Sequence, residues 1–212
     1  MSDCGCKMEA RNKQERKTLL TVLTINRLMF FIEFGFGFLA QSIGLIADSL
    51  DMFADASVYA ISLYAIGRSV SLKTKAAFIS GITQIALALT ALADVMRRFI
   101  WGSEPISGLI IGIGLLALIA NVTCLLLISK HRQRDVNMRA LWIFSKNDVI
   151  ANLSVIVSGG IVALTGSRYP DFVIGFMIAV LVSCGGFQIL REARTLSVVN
   201  NERKQRTQSI FS

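Results

Sequence analysis

Six long apolar stretches follow one another along the chain, and short polar connections separate them. Five of them have about 20 residues or more with few charges, and about 20 apolar residues form a helix that can cross the hydrocarbon core of a bilayer. Connections this short place successive helices side by side and antiparallel. The pattern predicts an all-α integral membrane protein, a six-transmembrane-helix bundle with helices near 19–39, 43–66, 76–95, 106–128, 141–165 and 172–190.

The composition supports a membrane protein and excludes other classes. Hydrophobic residues make up 53% of the 212 positions and charged residues 17%, whereas soluble domains carry about 25% charged residues. Such values exclude a disordered chain and a coiled coil. The first 17 residues are polar and the next apolar stretch is too long for a cleaved export signal, so we expect none. The four cysteines are too scattered to imply a disulfide framework.

The net charge of +8 comes from basic residues that concentrate on one side of the predicted bundle. Seventeen lie in the amino-terminal segment, the second and fourth connections and the tail, against three on the opposite side: Arg97, Arg98 and Arg168. The positive-inside rule therefore places both termini in the cytoplasm. Because this rule explains the positive charge, we expect no nucleic-acid partner. We predict a polar cytoplasmic segment over 1–17, a six-helix domain over 18–192 and a short cytoplasmic tail over 193–212, in a multi-pass protein of the cell (inner) membrane.

The second predicted helix carries three aspartates, Asp48, Asp51 and Asp55. At about 100° per residue they share a sector of about 60°. A charge at the bilayer centre costs several kcal/mol, so this stripe must face the bundle interior, where a cation or protons offset the mutual repulsion. An alternative is that the residues are capping or interfacial aspartates, which suits Asp48, near the helix start, better than the other two.

The fifth predicted helix offers a matching pair, because Asp148 and Asn152 are four residues apart and project from one face. Two helices with oxygen pairs at this spacing can converge on one ion. About four oxygen ligands, several of them anionic, suit a divalent cation of the Mg, Mn or borderline transition type. Asn152 could instead form a helix–helix hydrogen bond, and Lys146 and Asn147 could line a cytoplasmic entrance or pair with Asp148.

The segments ADSLDMFADAS (47–57) and NDVIAN (147–152) resemble the metal-site helices of the cation diffusion facilitator family, six-helix exporters of divalent metals. The resemblance covers nearly the whole chain and extends to Asn137-Met138-Arg139 and Pro170-Asp171. It implies a homodimer that exchanges metal for protons, with the metal as substrate and no cofactor. The implied metal contacts are Asp51, Asp55 and Asp148, with Asn152 as the fourth, and the possible accessory residues are Asp48, Asn26 and Glu33.

The chain departs from the family pattern in two respects. Phe144 stands where the family has His or Asp, so Asn152, Ser145, water or a first-helix group must complete the ligand set. The family's carboxy-terminal cytoplasmic metal-binding domain and His-rich loop have no counterpart, and His131 is the only histidine. We therefore expect a short family form that lacks this carboxy-terminal domain.

Two smaller motifs have simpler interpretations. Cys4 and Cys6 could capture a soft metal ion at the cytoplasmic face, but two thiolates do not make a closed site, and a flexible tail is the simpler interpretation. Asp94, followed by Arg97 and Arg98, is typical of an interfacial salt bridge.

These features predict a secondary transporter that exports a divalent cation of the Zn, Co, Fe or Mn class in exchange for protons. Three ionised carboxylates in a low-dielectric cavity repel one another, so at least one should hold a proton until metal displaces it. No nucleophile–base pair or His-ligated hydrolytic metal supports an enzyme. One alternative is a non-transporting or heteromeric partner, or a metal-sensing subunit, of a complete exporter. A proton-coupled organic cation exporter is a further alternative.

Overall fold

The computed structural model describes residues 3–65, 70–130 and 136–210. Within these ranges the chain forms six α-helices and no strand. The helices are α1 (Asp3–Leu39), α2 (Ile43–Ala65), α3 (Val70–Trp101), α4 (Ser107–Ser129), α5 (Val136–Thr165) and α6 (Tyr169–Ile210). The predicted all-α fold is confirmed for the described residues, with the helices in the predicted order.

Several helices extend well beyond the apolar stretches that predicted them. α1 begins at Asp3, α3 covers Val70–Trp101 and α5 begins at Val136. Residues 193–210, which belong to the predicted cytoplasmic tail over 193–212, continue α6 as a helix. The polar extension of α6 contains no glycine or proline after Arg191, and Glu, Gln, Lys and Arg are good helix formers. Hydrophobicity therefore marks where a helix meets lipid but not where it ends.

Within the described residues, four helices are long and apolar enough to cross a membrane by length and composition, over Arg16–Leu39, Ser107–Ser129, Leu141–Thr165 and Tyr169–Thr195. α2 is not among these four helices, and it carries three aspartates, which a helix facing lipid would not. The crossing of the membrane by α2 and α3 stays a prediction.

The distribution of polarity is the reverse of that in a soluble protein. Large apolar side chains lie on the outside, where Leu164 is 88% exposed and Ile119 65% exposed. Carboxyl and amide groups lie inside, and Glu33 and Asn152 are both fully buried. Such a surface is stable in lipid and would aggregate in water. The chain is a membrane protein.

α2 lies at the centre of the bundle and contacts all five other helices. Its small residues Ala47 and Ala54 belong to a buried cluster with Ile110, Val155 and Val182 from α4, α5 and α6. Small side chains let helices approach closely, which is the main route to tight packing in lipid. The aspartates of α2 are therefore surrounded by protein on several sides.

α3 and α6 form the most extensive helix pair, and glycines make their contact possible. A Cβ atom added to Gly186 would lie 3.2 Å from the backbone nitrogen of Ile85, and one added to Gly81 would lie 3.2 Å from the carbonyl oxygen of Gly186. The two backbones are thus in direct contact. We expect any larger residue at these two positions to push α3 away from α6.

The α1–α2, α3–α4 and α5–α6 connections meet at one end of the bundle, which we call the outer end. The backbone N–H of Ile106 donates to the carbonyl of Ala40 at 2.9 Å, and the N–H of Glu104 donates to the side chain of Gln41 at 3.2 Å. The charge pattern predicts that this end faces away from the cytoplasm.

Cysteine labelling tests this orientation. In a chain whose four natural cysteines are replaced by serine, a cysteine at Ser103 should react with an impermeant reagent from outside. Cysteines at Ser71 and Gln133 should react only from the cytoplasmic side, because basic residues flank both positions. Labelling of Ser71 and Ser103 from the same side would contradict the six-helix topology.

A carboxylate of α6 holds the outer end of α2. Asp171 is buried, and its Oδ2 accepts from the N–H of Ile43 at 2.7 Å while its Oδ1 accepts from the N–H of Gly44 at 3.1 Å and from the Ser42 hydroxyl at 2.5 Å. These N–H groups have no partner within α2. A Cβ on Gly175 would lie 2.8 Å from the carbonyl carbon of Ile43, so only glycine permits this approach.

Removal of the Asp171 carboxylate should loosen this end of the bundle. We expect Asp171→Ala to lower the free energy of unfolding in detergent by roughly 2–4 kcal/mol, because buried N–H groups lose a charged acceptor. Asp171→Asn keeps an acceptor and should lose less. Glu104→Ala, at an exposed site of the same end, is the matched control. An unchanged unfolding midpoint for Asp171→Ala would show that this cap does not stabilise the fold.

Candidate metal site

Asp51 and Asp55 on α2 face Asp148 on α5 in the middle of the bundle. The side chains of Asp55 and Asp148 lie within hydrogen-bonding reach of each other, and Asp51 lies within electrostatic reach of both. All three are half-buried. Among the ion pairs of the described residues, none joins these carboxylates to a lysine or arginine. The predicted ligands therefore share one interior region with no protein cation to offset their charge.

The three carboxylates do not yet converge on one point. In the described part of the chain, no group of three or more His, Cys, Asp and Glu side chains is arranged to hold a metal ion. Coordination by Asp51, Asp55 and Asp148 together therefore needs side-chain rotation, a small approach of α5 to α2, or water in the remaining positions.

A tyrosine orients one of the aspartates. The Tyr59 hydroxyl donates to Asp55 Oδ2 at 3.2 Å and lies 3.3 Å from the Ser145 hydroxyl. Tyr59 and Ser145 are both buried. Tyr59 is not among the predicted site residues, although it follows Asp55 by four residues and so extends the Asp51–Asp55 stripe by one turn. The hydrogen bond from Tyr59 fixes the orientation of the Asp55 carboxyl group.

Asn152 links α5 to α2, one helical turn nearer the outer end than Asp148. Its Nδ2 donates to the carbonyl of Asp148 at 3.0 Å and to Asp48 Oδ1 at 3.5 Å, while its Oδ1 has no partner. The helix–helix hydrogen bond that the sequence left open is thus present, and it goes to Asp48 instead of Asp51 or Asp55. The free Oδ1 leaves coordination available to Asn152 as well.

Asp48 does not cap α2. It lies within the helix and is 1% exposed, while Asp171 and Ser42 satisfy the helix start. The capping alternative therefore does not hold for Asp48. Its carboxylate faces that of Glu33 on α1 within hydrogen-bonding reach, and Glu33 is fully buried as well.

The other predicted residues lie elsewhere. Asn26 donates to the carbonyl of Val22 at 3.0 Å and to the Cys124 sulfur at 3.6 Å, so it contacts α4 instead of Glu33. Lys146 and Asn147 are exposed. The predicted salt bridges of Asp94 are present, at 2.8 Å to Arg97 and 2.7 Å to Arg98. The side chains of Phe144, Cys4 and Cys6 lie outside the described part of the structure, and their predicted roles stay predictions.

Known proteins resemble this chain over most of its length. The family model described as a cation efflux transmembrane domain matches residues 19–196. The zinc transporters ZitB of Yersinia pestis and Escherichia coli K12 are 23% and 22% identical over 190 residues, which cover 84% of this chain and 61% of each relative. A cadmium, cobalt and zinc/H(+)-K(+) antiporter of Bacillus velezensis is 20% identical over 198 residues, which cover 87% of this chain and 63% of that protein. The chain thus spans less than two thirds of the length of these relatives.

Proposed function

We propose that this chain, which belongs to the cation efflux family, exports divalent metal cations from the cytoplasm across the membrane that it spans. The observation that carries the proposal is the carboxylate stripe of α2, which faces Asp148 of α5 inside an apolar bundle. Uncompensated carboxylates at membrane depth are unfavourable unless a cation or protons neutralise them. A divalent cation between α2 and α5 offsets this repulsion.

We assign the metal contacts to Asp51, Asp55 and Asp148, with Asn152 as the fourth. Asp51 and Asp55 lie one turn apart on α2, so a single cation can meet both, and Asp148 meets it from α5. Tyr59 supports this assignment, because its hydrogen bond goes to Oδ2 of Asp55 and holds that carboxyl group in place. Asn152 Oδ1 has no protein partner and can supply a neutral oxygen.

We propose a substrate of the Zn, Co, Fe or Mn class. The relatives are named for zinc, cadmium and cobalt. Oxygen ligands without His or thiolate favour the harder ions Mn, Fe and Co, whereas raw affinity favours later members of the series. A competition uptake assay across Mn, Fe, Co, Ni, Zn and Cd would rank the metals by preference and show which of these two effects dominates.

Transport by the purified chain tests the proposal. In liposomes loaded with a metal-sensitive dye, the full chain alone should admit Zn²⁺ or Co²⁺ faster than empty liposomes do. The rival hypothesis, a non-transporting or metal-sensing partner of a complete exporter, predicts metal binding without movement. The homodimer and the multi-pass location in the cell membrane belong to the same proposal, and cross-linking in native membranes tests the former.

Phe144 gives a gain-of-function test. If Phe144 stands at a vacated ligand position, Phe144→His should tighten Zn²⁺ binding at least about tenfold, which is 1.4 kcal/mol, because imidazole is a preferred Zn²⁺ ligand. Titration of the purified variants with Zn²⁺ and Mn²⁺ measures the change. Ile143→His is the matched control, because Ile143 is 47% exposed on the apolar surface. Equal affinities of Phe144→His and the unmodified chain would mean that position 144 does not face the site.

A further inference from the structure

We propose that Glu33, Asp48 and Asn152 form a second divalent-cation site, one helical turn nearer the outer end than Asp51, Asp55 and Asp148. The inference rests on the proposed function, since both sites serve the same ion. Asp48 precedes Asp51 by three residues on α2, and Asn152 follows Asp148 by four on α5. α2 runs away from the outer end and α5 runs toward it, so both residues are displaced in the same direction. Glu33 reaches this level from α1.

Four buried oxygen atoms of this group have no hydrogen-bond partner. They are both carboxylate oxygens of Glu33, Oδ2 of Asp48 and Oδ1 of Asn152. The three side chains are at most 2% exposed. Buried polar atoms in native proteins nearly always have a partner, and an exception indicates an ion or water that belongs at the site. Buried carboxylates without a cation are especially unfavourable.

The described part of the chain supplies no cationic side chain to these carboxylates. Its ion pairs join Asp94 to Arg97 and Arg98 at the end of α3. Within the group, Asn152 Nδ2 donates to Asp48 Oδ1 at 3.5 Å and to the carbonyl of Asp148 at 3.0 Å, and the carboxyl groups of Glu33 and Asp48 face each other within hydrogen-bonding reach. The missing positive charge must therefore come from a bound species.

The geometry favours a divalent cation over a shared proton. One proton shared by Glu33 and Asp48 can join only one oxygen of each carboxyl group. The second oxygen of Glu33 and Oδ1 of Asn152 then still have no partner. A cation held by two carboxylates and an amide oxygen can contact all four. Such a set contains only oxygen, which suits Mn²⁺, Mg²⁺ or a borderline transition ion.

The second site gives the ion a position between the transport aspartates and the outer end. Two divalent ions about one helical pitch apart, roughly 5.4 Å, repel strongly, and Asn152 Oδ1 can contact only one of them at a time. A second ion should therefore bind on the order of a hundredfold more weakly than the first, or weaker still. An ion in one site therefore favours departure of the ion in the other. This places the second site on the exit route of the exported metal.

Mn²⁺ binding to variants of the purified full chain tests the proposal. The double variant Asp55→Asn, Asp148→Asn removes two charges from the transport site and should still bind one Mn²⁺ per chain, measured by equilibrium dialysis and electron paramagnetic resonance. Addition of Glu33→Gln, or separately of Asp48→Asn, should abolish that binding. Addition of Asp94→Asn is the matched control and should leave it unchanged.

A second measurement uses intact transport aspartates, in case the double variant does not fold. The unmodified chain should bind a second, weaker Mn²⁺ at higher concentration, and Glu33→Gln alone should remove only this second event. The proposal is overturned if the folded double variant binds no Mn²⁺, or binds it equally well after Glu33→Gln. An unmodified chain that binds no divalent metal refutes the proposed function itself, whereas one bound ion indifferent to Glu33→Gln refutes only the second site.

Discussion

Replacement of Asp148 by asparagine should weaken metal binding by roughly 100- to 1,000-fold and stop transport, as expected when one partner of a buried charge pair is removed. Asp148 is the carboxylate that α5 brings to the site, and it lies within hydrogen-bonding reach of Asp55 on α2. Without its charge, no anionic group of α5 completes the coordination that α2 begins. Asp51→Asn should have an effect of the same order, because it removes one of the two α2 carboxylates.

Titration of Zn²⁺ and Co²⁺ into purified variants measures the effect, together with uptake in liposomes. Asp94→Asn is the matched control, because it removes an aspartate that pairs with Arg97 and Arg98 outside the site. Asparagine has nearly the shape of aspartate, and removal of an unpaired buried charge should not unfold the protein. Wild-type affinity in a folded Asp148→Asn variant would move the metal site away from α5.

A pH gradient across the liposome membrane should drive metal movement even with equal metal on both sides. Asp51, Asp55 and Asp148 together would carry a charge of −3 if all were ionised, a state that burial and mutual repulsion disfavour. At least one of them should hold a proton in the absence of metal. A divalent cation favours the ionised forms, so metal binding should release protons, and protons from the outer side should release metal.

The sign of the coupling is defined. In an exchange, metal should accumulate in the more acidic compartment while protons leave it, and binding should weaken as pH falls, because protons compete for the same carboxylates. A pH indicator in weak buffer should record proton release when Zn²⁺ is added to the purified chain. The Asp148→Asn variant should show neither metal accumulation driven by the pH gradient nor proton release on addition of Zn²⁺. Metal flux that ignores the pH gradient, with no proton release on binding, would leave a uniporter.

The all-α membrane architecture, the helix order and the candidate ligands could all be predicted from the amino-acid sequence. These properties depend on one-dimensional features, namely the length of apolar stretches and the spacing of residues around a single helix. Because a charge in lipid is costly, Asp51 and Asp55 can be predicted to face the bundle interior without knowledge of the residues they contact there. Polar helix ends escaped this reasoning, because the polar parts of α1 and α6 carry no apolar signal of where a helix begins or ends.

Which polar groups contact one another depends on how the helices pack in three dimensions. Asn152 bonds to Asp48, Glu33 faces Asp48, Tyr59 holds Asp55, and Asp171 caps α2 from another helix. Each pair depends on the rotation and depth of one helix relative to its neighbour, and those are set by close contacts such as Gly175 against Ile43. Periodicity along one helix specifies which face is buried but contains no information about the residue opposite. The separation of the buried acids into two levels therefore emerged from the packing of α1, α2 and α5.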